Sequence, residues 1–372
     1  MKIGDSVEII GDYAFSKCGL VSITFGNKIS AIGEYAFIEC FYLTQVYIND
    51  LASWCQINFK NTQSNPLYYS NHLYLGKKEI RDLVIPDGIT EIKSYAFTGA
   101  SNVLSLKLNN EVISVGSRAF YQCTSLNSVD LGYALTSIGE KAFYECSSIE
   151  SIQIPDGVTT IGSEAFYGCT KLENLKLSNE LKIINKFAFH NCNSLTNIII
   201  PSQVEFLYQN AFLNTGKHLT ITMLPEYPPM AYPPVFPDGT KIIVQDESLE
   251  LYQSVSPWSD YNIISFSNYG PEKCEKPEIV YKNGKLLFTC QTPDVEFHYT
   301  VTSEDFSVKQ TSEEVPVSAI YQIEVYASKP GYEDSDIATM KIDIRGLKGD
   351  VNGDDKVDAA DIAFLVDIIL HM

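Results

Sequence analysis

The sequence predicts a mainly β repeat protein: a solenoid of 23-residue turns, followed by a small β-sandwich and a short C-terminal loop and helix. Three observations carry that prediction. A phrase of fixed length recurs through the first two thirds of the chain. From about residue 271 the pattern changes to alternating strands joined by an Asn-Gly turn. The last residues hold acidic and amide side chains at positions 1, 3, 5, 9 and 12 of a short loop.

The repeated phrase reads Ser-Leu-x-x-Ile-x-Ile-Pro-x-x-Val-x-x-Ile-Gly-x-x-Ala-Phe-x-x-Cys in its best copies. Its Ala-Phe pairs end at Phe97, Phe120, Phe143, Phe166, Phe189 and Phe212, each 23 residues after the last, with earlier copies at Phe15 and Phe37 spaced by 22. A period in this range means that each repeat is one turn able to bury its apolar side only against its neighbours. Within a turn, Leu175 and Leu177 straddle an outward Lys176, the period of a strand with one buried face. Such strands are expected to stack into a continuous parallel sheet along one side. Their buried column holds Leu126, Val129, Ile149, Ile152, Leu172, Leu175, Leu195 and Ile198. A shorter apolar pair, Val158 and Ile161, follows and is closed by Gly162. A brief helical or turn segment then carries Ala165, Phe166 and Cys169.

The Ile-Gly-x-x-Ala-Phe-x-x-Cys signature resembles the BspA-like leucine-rich repeats of bacterial surface and secreted proteins. The resemblance covers about residues 1–224 and implies a leucine-rich-repeat solenoid at the surface of a Gram-negative bacterium of the Bacteroides type. The phrase lacks the Asn that caps the turn in the commonest leucine-rich repeat; Cys or a small residue stands near that place.

Six of the nine cysteines belong to the phrase: Cys18, Cys40, Cys123, Cys146, Cys169 and Cys192. Stacked strands lie about 5 Å apart, so neighbouring cysteines could pair on steric grounds. Ala100 and Thr215 occupy the same column, which argues that the position asks for a small side chain and that the thiols are free and buried. A linear column cannot wrap four ligands around a metal ion. Cys274 and Cys290 flank a hairpin in the later domain, and a disulfide between them stays open.

Phe37 and Phe97 are 60 residues apart, so one repeat carries extra residues, at about 51–80. The insert is aromatic and reads either as a binding knob or as a structural elaboration packing Trp54 and Tyr68 into the ridge, with the second favoured. After Met223 the phrase is lost in a proline-rich run, and residues 225–270 are expected to form an ordered cap around Ile242–Val244 and Trp258. Met1 begins inside a repeat, which suggests a trimmed or partial chain.

Residues 271–346 are expected to form the sandwich, of immunoglobulin or fibronectin type. The Lys282-Asn283-Gly284-Lys285 turn between two apolar runs is a strong hairpin signal, with further strands at 295–301, 321–327 and 338–344. The segment Val325 to Ser335 resembles the chitobiase/β-hexosaminidase C-terminal repeat over residues 274–345, which implies a spacer.

The tail, 347–372, carries Asp350, Asn352, Asp354, Asp358 and Asp361 at loop positions 1, 3, 5, 9 and 12, with the Lys356 carbonyl at 7. Hard oxygen donors at that spacing converge on Ca2+, as in an EF-hand loop. Asp355 stands where a glycine turn is expected, and Asp361 where a sensor loop has Glu. With Ile362, Leu365, Val366 and Ile369 on one helix face, the segment resembles half of a type I dockerin. That resemblance implies a cohesin-like partner touched by Ala359 and Ala360. A half-dockerin that docks, a calcium-stapled terminal tag and a truncated full module all remain readings of it.

The net charge of −19 leaves no basic face for nucleic acid, and no apolar run is long enough to span a bilayer. His72, His190, His218, His298 and His371 are scattered over different modules and join no nucleophile or metal motif. The outward strand residues are mixed and polar: Ser105 and Lys107, Ser128 and Asp130, Ser151 and Gln153, Asn174 and Lys176, Asn197 and Ile199. An extended open surface suits a protein or polysaccharide ligand better than catalysis. The expected function is therefore a monomeric, non-enzymatic extracellular or cell-surface binding protein. The alternative is a non-catalytic component recruited to a complex through its calcium-binding tail.

Overall fold

The computed structural model describes residues 1–269, 274–282, 285–293, 295–303, 320–329, 332 and 334–343. It falls into two compact units, Met1–Asn268 and Tyr269–Met372. The first is a mainly β solenoid, as the repeat predicts.

Each turn carries two short strands. The second, only two residues long, builds the longest ladder: seven parallel strands from Glu91–Ile92 through Ser114–Val115, Ser137–Ile138, Thr160–Ile161, Ile183–Ile184 and Phe206–Leu207 to Met230–Ala231. The opening strands are not one continuous sheet. They part into four, for example Asp82–Val84 with Ser105–Lys107 and Ser128–Asp130, and Ser151–Gln153 with Asn174–Lys176.

The glycine of the phrase lies where three neighbouring turns approach most closely, although the ladder also runs on through Lys93, Asn185 and Tyr208 at the same place. A Cβ at Gly139 would stand 2.7 Å from Ser117 N and 2.8 Å from Gly116 C, and one at Gly162 would stand 2.5 Å from Gly139 C. Neither glycine has a positive φ, so what the position requires is close approach. The bonds from Gly116 and Gly139 N–H to the preceding turn are both 2.8 Å, and the equivalent bond lengthens to 3.3 Å at Asn185.

The Ala-Phe segment is a run of turns with no helix. Its backbone alternates. The N–H groups of Arg118, Phe120 and Gln122 reach forward to the carbonyls of Glu140, Ala142 and Tyr144 at 2.8, 2.8 and 2.7 Å, while those of Ala119, Tyr121 and Cys123 close turns within their own repeat. The alternation needs two left-handed residues per turn, and here they are Arg118 (φ 54) and Gln122 (φ 58), then Lys141 (φ 55) and Glu145 (φ 55). Each costs roughly 1–2 kcal/mol in a residue with a Cβ. The inter-turn bonds offset that cost. Under them the phenylalanines stack, with centroids 5.1 to 5.5 Å apart and planes within 11° from Phe97 to Phe212.

The insert replaces a missing turn. Asn58–Phe59 pairs with Ala31–Ile32 as a second strand, and Gln63 O accepts from Phe37 N–H as Ala142 does from Phe120. Asn65, fully buried, donates through Nδ2 to Tyr95 O at 2.7 Å and Ala96 O at 2.9 Å. Trp54, 1% exposed, donates from Nε1 to Ala96 O at 2.9 Å. Tyr68 is only half-buried. Leu67 fills the ridge where Tyr68 was expected.

Backbone repetition also outlasts the phrase. Lys241–Val244 and Asn262–Ser265 continue the opening strands in parallel, and Val235-Phe236 stands where Ala-Phe does. Val235 O accepts from Phe212 N–H and the Phe236 ring stacks on Phe212 at 5.7 Å. Trp258 and Tyr252, both buried, close the apolar end. Prolines at 228, 229, 233 and 234 flank Met230–Ala231, the last rung of the long ladder. They remove N–H donors from an edge that could otherwise pair with another chain.

In the second unit Glu278–Lys282 and Lys285–Thr289 form an antiparallel hairpin, with Lys282 opposite Lys285. Glu296–Ser303, Ile320–Ser328 and Ala338–Asp343 form a three-stranded antiparallel sheet. Phe288 meets Phe297 and Tyr299 at 5.9 and 6.0 Å, and Ile323, Val325 and Ala327 are buried.

Gly139→Ala should lose about 1–3 kcal/mol through overpacking against the turn before it. Gly19→Ala, with nothing within 4 Å of a Cβ, should be close to neutral. Urea unfolding monitored by circular dichroism distinguishes the two, and equal stabilities would contradict the close-approach account.

Candidate functional site: the solenoid surface

The outward residues of the opening strands stand in columns because the strands are in register. Ser105 faces Ser128 and Lys107 faces Asp130; Ser151 faces Asn174 and Gln153 faces Lys176; Asn197 faces Thr220 and Ile199 faces Thr222. Most are exposed, with Ser105, Ile199, Thr220 and Thr222 half-buried. Ser105 Oγ donates to Asp82 Oδ1 at 2.6 Å, so the column is hydrogen-bonded along its length at this point. A rigid backbone thus presents short polar groups at strand spacing over a wide, shallow area. The sequence placed these residues on one face, and the structure brings them together.

A second array was missed. The residue after each phenylalanine points out of the turn, and Tyr121, Tyr144, Tyr167 and His190 stack there with centroids 4.9, 4.8 and 5.0 Å apart. Its signal was in the sequence: an aromatic follows Phe120, Phe143, Phe166 and Phe189. Burial, Glu145 and the flanking tyrosines push the Tyr144 hydroxyl up to about 12. Burial also holds His190 below its usual value, so at neutral pH the stack carries no charge. The rings cover one another's faces, and the Tyr167 hydroxyl accepts from Asn191 Nδ2 at 3.1 Å. Ion pairs run beside them from Arg118 to Glu140 at 3.2 Å and from Lys141 to Glu164 at 3.1 Å.

All nine cysteines are free thiols. The column has more use for sulfur than a small filler would. Cys146 Sγ donates to Phe120 O at 3.1 Å, Cys169 to Phe143 O at 3.4 Å and Cys192 to Phe166 O at 3.3 Å. Each of those carbonyls already accepts from the cysteine N–H of its own turn, so the thiol fills the second lone pair from the next turn. Cys18 is half-buried. Cys274 is buried, and Cys290 Sγ donates to Glu275 O at 3.1 Å; the disulfide left open by the sequence is not formed.

Asp350, Asn352, Asp354, Lys356, Asp358 and Asp361 lie outside the described residues. Among the described residues no group of three or more His, Cys, Asp or Glu is placed to hold a metal ion, and no helix is long and apolar enough to cross a membrane.

The BspA type leucine rich repeat region matches residues 1–79, 68–161 and 120–227 in overlapping stretches. The chain belongs to this family. Similar solved structures include a leucine-rich repeat protein of T. pallidum, 28% identical, covering 46% of this chain and 75% of that one with a TM-score of 0.38. The pneumococcal vaccine antigen PcpA is 17% identical over 70% of this chain and 71% of its own, with a TM-score of 0.40. A leucine-rich repeat protein from Bacteroides ovatus ATCC 8483 is 19% identical over 71% and 83%, with a TM-score of 0.31. No curated protein matches the chain. In this BspA-type chain the conformationally demanding positions, the two left-handed residues and the close-approach glycine, are all spent on stacking turns.

The buried thiols set an alkaline limit on stability. Burial raises Cys146, Cys169 and Cys192 well above the ordinary thiol value, and burial and Asp50 push Cys55 up to about 12. Below about pH 8.5, the unfolded thiol value, both states are protonated and nothing changes. Above it the unfolded chain ionises first, so stability falls by up to about 1.4 kcal/mol per pH unit for each such thiol. Urea midpoints between pH 7 and 10 should therefore drop, and less steeply in Cys169→Ala. A slope unchanged by that substitution would remove the thiol from the account.

Proposed function

We propose that this BspA-type protein is a non-catalytic extracellular or cell-surface binding protein of a Bacteroides-like bacterium, with the opening-strand face as its contact surface. The single observation that carries the reading is the outward face of the opening strands, whose exposed residues include Lys107, Ser128, Asp130, Ser151, Gln153, Asn174, Lys176 and Asn197, aligned strand to strand within each sheet. Repeat proteins use such extended faces for partners too large for a pocket. The BspA-type repeats support this location. In this reading the second unit is a β-sandwich spacer of the chitobiase/β-hexosaminidase C-terminal kind.

The tail supports a further element of the proposal. Asp350, Asn352, Asp354, Asp358 and Asp361, with the Lys356 carbonyl, have the donor type and spacing of a Ca2+ loop, and recruitment through a cohesin-like partner is the second reading. One capture experiment tests both. The full chain is immobilised and exposed to an extracellular-matrix protein mixture and to a bacterial surface-protein extract, each with 2 mM calcium or with chelator, a concentration on the order of the weak extracellular sites. Ser128→Arg combined with Ser151→Arg should abolish the calcium-independent capture while leaving the melting temperature unchanged. Asp350→Ala with Asp361→Ala should abolish only a calcium-dependent portion. Capture untouched by the arginine pair would refute the strand face as the contact surface.

A further inference from the structure

The two residues after the cysteine column lie on the outside of each turn, and in the regular repeats they are small or polar, as in Thr124-Ser125, Ser147-Ser148 and Thr170-Lys171. In the turn just before the insert they are Phe41 and Tyr42, each 71% exposed. Two adjacent, exposed aromatic rings at that place forgo about 1.5–3 kcal/mol of burial each.

The insert holds one of them. Tyr69 meets Phe41 edge-on, with centroids 5.8 Å apart and planes at 82°. Tyr69 is itself fixed: its hydroxyl accepts from Glu39 N–H at 2.9 Å and Tyr68 packs against it at 5.2 Å and 85°. An edge contact of this kind covers at most one face of one ring, and Phe41 stays largely exposed. This is the reverse of the Tyr121 to His190 stack, where each ring covers the next.

We propose that Phe41 and Tyr42 form a binding site for a neutral glycan, the ring faces taking the C–H face of a pyranose and the Glu39 carboxylate and Tyr42 hydroxyl taking sugar hydroxyls. The proposal rests on the binding reading above and names the ligand class of a separate contact point on the same solenoid. The surroundings favour a sugar over a peptide. Glu39, exposed, is tied through its N–H to the Tyr69 hydroxyl beside Phe41 and is paired with exposed Lys17, so charged side chains stand next to the aromatic cluster. Lys17 lies 3.7 Å from Glu39, which leaves no surplus positive charge for a sulfated or uronic-acid polymer.

Calorimetric titration of the full chain with cellohexaose, laminarihexaose and mannohexaose tests it. Tyr133, 74% exposed elsewhere on the solenoid, supplies the control. At least one hexaose should bind the native protein, Phe41→Ala and Tyr42→Ala should each weaken it by about tenfold or more, on the order of 1.4 kcal/mol, and Tyr133→Ala should not. Melting temperatures within about 2 °C would show that a single surface change has not unfolded a turn. Absence of binding to all three hexaoses, or equal weakening by Tyr133→Ala, would overturn the proposal. So would hexaose binding that survives both aromatic variants, or variants that lower only protein capture. Loss of protein capture by the strand-face arginines bears on the earlier reading alone.

Discussion

The first unit depends on one constraint: successive turns must approach closely enough for the backbone of one to hydrogen-bond the backbone of the next. Three N–H groups per Ala-Phe segment make that bond, at 2.7 to 2.8 Å for Arg118, Phe120 and Gln122. The rest follows from it. Glycine is needed where a Cβ would meet the neighbouring backbone, left-handed residues are needed to aim the N–H groups, and the buried interior becomes a set of identical side chains stacked on themselves. Phenylalanine rings stack at 5.1 to 5.5 Å along that spacing. A cysteine fits beneath them because it is small enough for the column and can still donate to a carbonyl of the turn before.

The same constraint separates structure from function along the phrase. Side chains that point in are fixed by their neighbours, whereas those that point out can vary without disturbing the ladder. Variation is therefore left to the outward columns, and a departure in one of them, such as Phe41-Tyr42, costs the core nothing. Such a surface selects its partner through composition over many turns, unlike a pocket, where a few convergent groups decide.

Much of this was legible in the sequence because the period is nearly invariant from Phe97 to Phe212. What was not legible has physical reasons. Arg118, Lys141 and Glu164 give no hint of positive φ, since the propensity for glycine there is overruled by the inter-turn bonds that demand the conformation. The insert hides its role because Asn65 and Trp54 donate from side chains to the Ala96 carbonyl, where other turns donate from the backbone N–H of the phenylalanine. The turn ending in Val235-Phe236 escapes notice because prolines surround it and its phenylalanine comes 24 residues after Phe212. The aromatic stack of Tyr121 to His190 was visible as a periodic letter, yet only the structure shows that the rings face one another. The candidate calcium ligands stand at the other extreme: the motif is plain in the sequence and falls outside the described residues.

Hydrogen exchange on the native chain tests the central constraint most directly. If inter-turn bonds hold the solenoid, the amides of Phe120, Phe143 and Phe166 exchange together and only through large-scale opening, with protection close to the global unfolding free energy, while exposed turn amides such as Thr124 and Ser147 exchange orders of magnitude faster. Phenylalanine amides that exchange as fast as those turn amides, or independently from one repeat to the next, would contradict it.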